Sequence, residues 1–160
     1  MNDALSLNSA SSVNESLRKS DALILAEAIR LVSEGVSVTF PVRGCSMLPF
    51  IVGGRDSVIL EKVSTIKKFD VVLAEVEGGL HVIHRVVKID GEHVSLMGDG
   101  NLAKCEQCVV SQIKAHVNYV VQPGGEKRAL DSFGWRLFAI IWLKLLPLRR
   151  WLLAFYRKFL

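Results

Sequence analysis

Ser46 stands in the run Gly44-Cys45-Ser46-Met47-Leu48-Pro49, between an alternating segment and a proline-containing turn. A serine so placed projects its hydroxyl from a loop held by rigid structure, and Gly44 allows close backbone approach. Serine is a weak nucleophile at neutral pH and needs a base within hydrogen-bond reach. His84, in His81-Val82-Ile83-His84-Arg85-Val86-Val87, is the candidate base. Its neutral imidazole can take the serine proton and later deliver it to a leaving amine. Asp99, in Met97-Gly98-Asp99-Gly100-Asn101, offers a carboxylate to orient the histidine, as in a Ser-His-Asp triad. Each residue alone has a plainer reading: a turn serine, a strand histidine, an Asx turn. That chemistry calls for no metal or cofactor.

Two other groups of residues compete. Cys105-Glu106-Gln107-Cys108 has metal-ligand or redox spacing, but no second such pair exists and His116 is the only further ligand nearby. Loop cysteines without a metal are the simpler reading. Cys45 adjoins Ser46, but strand alternation turns it the other way. His81 lies three residues from His84, so on a strand the two point to opposite faces and do not form a metal pair.

The elements that must position these residues follow from periodicity. Residues 1–17 read as a disordered leader. Residues 18–35 read as a helix, with Leu23, Ala26, Ile29, Leu31 and Val32 at roughly helical spacing and Gly35 past its end. From Val36 the period becomes two. Further strands are expected at Ser57–Glu61, Asp70–Glu75, Leu80–Ile89, His93–Met97 and Val109–Val121, with turns at Gly78-Gly79 and Asp90-Gly91. The expected fold is therefore mainly β, a compact antiparallel domain over residues 36–124, with one helix before it and a basic amphipathic helical tail over 125–160.

Charge separates that tail from the body. Residues 126–160 hold eight Lys and Arg against two acidic residues, a net +6, and the remainder of the +4 chain is at −2. A near-neutral body argues against nucleic acid as a partner. From Phe133 onward Leu, Phe, Trp and Ile are interspersed with Arg and Lys, and Pro147 is expected to kink or divide the helix. The longest apolar piece, Leu137–Leu148, is interrupted by Lys144 and falls short of the roughly 20 apolar residues a helical span needs. Such a tail can lie in a membrane interface and be drawn to anionic lipid. It can equally pack on the β domain with its cations exposed. The N-terminal residues show no apolar run, so no cleavable signal peptide is expected.

Taken together and in order, G-C-S-M-L-P, G-G-R-D-S-V-I-L, D-V-V-L, H-R-V-V and M-G-D-G-N resemble the type I signal peptidase superfamily, which includes the self-cleaving LexA-like repressors. The resemblance covers about Val36 to Val121. His84 before Arg85-Val86 resembles the endoplasmic-reticulum and archaeal branch, which implies a Ser-His enzyme with Asp99 in the family's G-D-x-N position. Asp56 matches an acidic turn position read as structural. Several departures stand out. Gly44 occupies the place of a second serine that often helps bind the oxyanion, leaving that task to backbone N–H groups at Ser46 and Gly44. Losing one such donor costs about 3 kcal/mol. Phe69-Asp70 replaces the usual Gly-Asp before the base strand. Where the family often has a further acidic residue after G-D-x-N, this chain has Lys104-Cys105-Glu106, of which only Glu106 can substitute.

The expected function is a serine endopeptidase, with Ser46 as nucleophile, His84 as base and Asp99 as orienter. Its substrate would be a leader or signal-like peptide at a membrane surface. The tail, residues 133–160, would hold it there peripherally, with the cytoplasmic face favoured. The alternatives are a catalytically silent binding or membrane-interface protein on the same fold, and a LexA-like self-processing regulator. Only about 35 residues precede the β domain, too few for a convincing DNA-binding unit.

Overall fold

A computed structural model of the protein describes residues 19–158. The leader expected over residues 1–17 lies outside the described residues. The first described element, α1 (residues 19–33), turns Leu25, Ala28, Ile29 and Val32 inward. These positions follow the i, i+3, i+4, i+7 stripe of a helix lying on a core. Leu23, expected on the inner face, is 72% exposed. The helix ends where Gly35 takes a positive φ of 90° and the Val36 N–H reaches back to the Leu31 carbonyl at 3.0 Å.

Eight strands follow: β1 (Val38–Pro41), β2 (Ser57–Glu61), β3 (Val71–Val76), β4 (Leu80–Asp90), β5 (His93–Met97), β6 (Glu106–Val109), β7 (Ile113–Val121) and β8 (Lys127–Ala129). All pairings are antiparallel, in the order β1-β2-β7-β3-β4-β5-β6, with β8 on β7. The fold is thus mainly β, with a helix before the sheet and two helices after it. The strand expected over Val109–Val121 is divided by a helical turn at Val110–Gln112, so its first part belongs to β6. Three residues of β8 carry too little periodicity to be read from sequence.

The run Val71-Val72-Leu73-Ala74 is continuous because β3 is buried on both faces. Val71 and Leu73 join one apolar cluster, with α1, β2, β7 and the C-terminal helices. Val72, Ala74 and Val76 join the other, with Val86, Val94, Leu96 and Cys108. Burying each valine or leucine side chain here is worth about 1.5–3 kcal/mol.

The tail forms α2 (Phe133–Lys144) and α3 (Leu146–Arg157). The break falls at Leu145, and Pro147 sits in the first turn of α3, where its missing N–H costs nothing. Ala139, Trp142, Arg149 and Leu153 are buried against the β domain. Phe50 packs against Trp135 and Phe138, with ring centroids 5.1 and 5.2 Å apart. No helix among the described residues is long and apolar enough to cross a membrane.

Candidate active site

Ser46 lies just beyond β1, in a loop held on both sides. Val42 receives the Gly54 N–H and donates to the Asp56 carbonyl. The buried Asp56 carboxylate accepts the Val52 N–H at 2.8 Å and closes this turn, a structural role. Gly53 is needed here, because a Cβ on it would lie 2.0 Å from the Gly44 carbonyl oxygen. Gly44 itself has φ 82°, so the position that departs from the family pattern is one where a serine would be strained. Residues 45–51 then coil into a tight turn, with Leu48 N–H on the Cys45 carbonyl and Ile51 N–H on that of Met47. Met47, Leu48, Phe50 and Ile51 are buried beneath it, and Ser46 is half-buried.

The Gly98-Asp99-Gly100-Asn101 turn is pressed against this loop. Gly100 N–H donates to the Ser46 carbonyl at 2.7 Å. A Cβ on Gly100 would meet the Cys45 carbonyl oxygen at 2.5 Å. A Cβ on Gly98 would meet the Ser46 carbonyl oxygen at 2.4 Å, His84 Nε2 at 2.9 Å and Asn101 Nδ2 at 3.0 Å. The Ser46 loop, His84 and the turn therefore converge on the bare Cα of Gly98.

His84 is buried on β4, opposite Val72 of β3. Its Nδ1 lies 2.9 Å from Glu106 Oε2 at the start of β6. With Glu106 ionised, Nδ1 carries the proton and Nε2 presents a lone pair toward the Ser46 loop. Burial pushes the imidazole pKa below its usual 6.5; the Glu106 and Asp99 charges oppose that shift, and Lys104 adds to it. The ring is neutral at pH 7. Among the described residues no hydrogen bond joins Ser46 Oγ to His84 Nε2.

Asp99 is not the carboxylate on His84. It forms a bidentate pair with Arg85, at 2.9 and 2.7 Å, and both side chains are buried. The reason is strand alternation. Neighbours His84 and Arg85 face opposite sides of β4, and Asp99 lies on the Arg85 side. The curl of the sheet brings β6, and hence Glu106, to the His84 side. Glu106 was legible only as the acidic residue of Lys104-Cys105-Glu106, just after the Gly-Asp-x-Asn motif.

An apolar cleft of about 390 Å³ runs beside Ser46, lined by Leu25, Phe40, Met47 and Ile83 among others. Among the described residues β1 pairs only with β2, and Leu80–His84 of β4 pair only with β3. Two strand edges thus border the cleft, and α1 covers one end through the Asp21–Arg43 ion pair. His81 lines the cleft, whereas His116 sits against Asp70 at 3.1 Å. Cys45 and Cys105 are exposed and Cys108 is buried, and among the described residues they form no disulfide. Among the described residues no three His, Cys, Asp or Glu side chains form a group able to hold a metal ion. The chain matches no protein-family model and no curated protein sequence.

Proposed function

We propose that this chain is a serine endopeptidase of the type I signal peptidase kind, with Ser46 as nucleophile and His84 as base. The carrying observation is His84: buried, neutral, fixed by Glu106 through Nδ1, with Nε2 turned to the Ser46 loop. An extended peptide would add to the free edges of β1 and β4. Ser46 Oγ would attack the scissile carbonyl as its proton passes to His84 Nε2. The developing oxyanion would be met by backbone N–H groups around Ser46 and Gly44. Among the described residues, no main-chain carbonyl takes the Ser46 N–H. The C–N bond would break as His84 protonates the amine, and water activated by His84 would release the acyl group.

A second reading, a catalytically silent binder, is favoured by the missing Ser46–His84 hydrogen bond and by Gly44. Apo sites often tighten only with substrate, which leaves the peptidase the stronger reading. Purified protein should cleave peptides, and Ser46→Ala and His84→Ala should each abolish turnover while keeping the wild-type circular dichroism. Equal turnover in all three proteins sinks the peptidase.

The tail gives the proposed location. Phe133, Trp151 and Phe155 are 84%, 74% and 67% exposed, in a stretch from Phe133 to Lys158 that contains no acidic residue. We place the enzyme peripherally at an anionic membrane surface, cytoplasmic face favoured, acting on leader or signal-like peptides.

A further inference from the structure

Phe69 is the only non-glycine residue with positive φ among those described, at 78°. For an aromatic residue this conformation is strained, because its Cβ crowds the following carbonyl oxygen where glycine has none. Strain of this kind persists where the surroundings enforce it and points to a use. The ring lines a groove of about 390 Å³ between the sheet and α2, together with Met97, Ile140 and Leu143. Lys68 and Lys144 flank the groove, both exposed, with Lys68 Nζ 5.2 Å from the Phe69 ring centre. No carboxylate pairs with either lysine among the described residues. Arg136 ties α2 to the segment just before β3 through the Lys68 carbonyl and the Asp70 carboxylate.

The volume falls within the ~300–1,000 Å³ of small-molecule sites, and an apolar floor with charged lips suits an amphiphile. Two cations without a carboxylate partner among the described residues select an anionic head. The groove adjoins α2, whose outward residues Leu137 and Ile141 are exposed apolar side chains.

We propose that this groove binds a single anionic phospholipid, one acyl chain against Phe69, Met97, Ile140 and Leu143 and the phosphate between Lys68 and Lys144. This rests on the membrane-surface reading and sharpens it from a face to a site. The probe is dihexanoyl phosphatidylglycerol, titrated below its micelle concentration by calorimetry. One molecule should bind, at least tenfold more tightly than the phosphatidylcholine analogue. The exposed pair Lys68→Glu/Lys144→Glu should weaken it at least tenfold without unfolding the chain. Phe69→Gly should also weaken it while leaving thermal stability equal or higher. Trp151→Ser should bind the monomeric lipid normally and lose affinity only for phosphatidylglycerol vesicles. No monomer binding, or unchanged binding in the lysine or Phe69 variants, overturns the groove. Loss of wild-type vesicle binding as well brings down the membrane reading itself.

Discussion

His84 and Arg85 are adjacent in sequence, yet they hold carboxylates of different kinds. Glu106 meets His84 with 11% of its side chain exposed, whereas Asp99 is sealed against Arg85 at 1%. Removing one member of a buried ion pair strands the other charge, at about 3–5 kcal/mol. Asp99→Asn should therefore lower unfolding free energy in urea by that amount, and Glu106→Gln should change it far less. Activity should report the reverse identity. Glu106→Gln replaces an acceptor-only carboxylate with an amide that can also donate to Nδ1, so the imidazole tautomer is no longer fixed and kcat should fall by about 10²–10⁴. The pH profile carries the sign. His84 has a pKa held below 6.5, so kcat/KM should fall as pH drops through that lowered value. The Glu106 charge raises the ring's pKa, so Glu106→Gln should move the acid limb to still lower pH. A limb that stays in place, with kcat unchanged, would mean that Glu106 does not serve the base.

The Gly98–Asn101 turn is the element that joins the site to the tail. On one side its glycines receive the Cys45 and Ser46 carbonyls. On the other, Trp142 Nε1 donates to the Asp99 carbonyl and Arg149 Nη1 to that of Asn101, both at 2.8 Å. Arg149 is fully buried, and burial pulls its pKa below the ordinary arginine value despite the nearby Asp99 charge. A guanidinium kept there by two main-chain carbonyls is a positioning residue for the turn. Arg149→Met preserves the volume and removes the bonds; kcat should drop on the order of 10²-fold with KM little changed. Gly98→Ala, which drives a methyl into the Ser46 carbonyl, should do at least the same. Unchanged kcat in both would show that the turn does not set the site. This coupling was invisible in sequence, because it depends on where α2 and α3 land. Local signals read well: Ser57–Glu61 and His93–Met97 are strands to the residue, since their alternation and turns are local. Asp99 was misassigned because the alternation along His84-Arg85 does not say which carboxylate the sheet's curl delivers to which face. The inner face of α1 was shifted for the same reason, with Leu25 and Ala28 facing in and Leu23 facing out.

At the scale of the whole molecule the charge is divided as the polypeptide is. The tail from Glu126 carries +6 on a chain whose remainder is −2. Its inner residues Ala139, Trp142 and Leu153 are packed on the β domain, and the outward Leu148 and Trp151 are 54% and 74% exposed. Exposed aromatics beside cations suit an anionic bilayer, where each Lys or Arg near the surface contributes about 1 kcal/mol. Such attraction is screened by salt, whose Debye length falls from about 10 Å at 0.1 M to about 3 Å at 1 M. Affinity for phosphatidylglycerol vesicles should thus fall more than tenfold over that range, and phosphatidylcholine vesicles should bind weakly throughout. Trp142 is buried and Trp135 half-buried, so the blue shift on binding should come from Trp151 and vanish in Trp151→Phe. Binding insensitive to both salt and lipid charge would assign the exposed face to a protein partner instead. Because α2 and α3 also hold the Gly98–Asn101 turn, vesicles that bind should raise kcat on a soluble peptide, and Arg149→Met should remove that rise without affecting vesicle affinity.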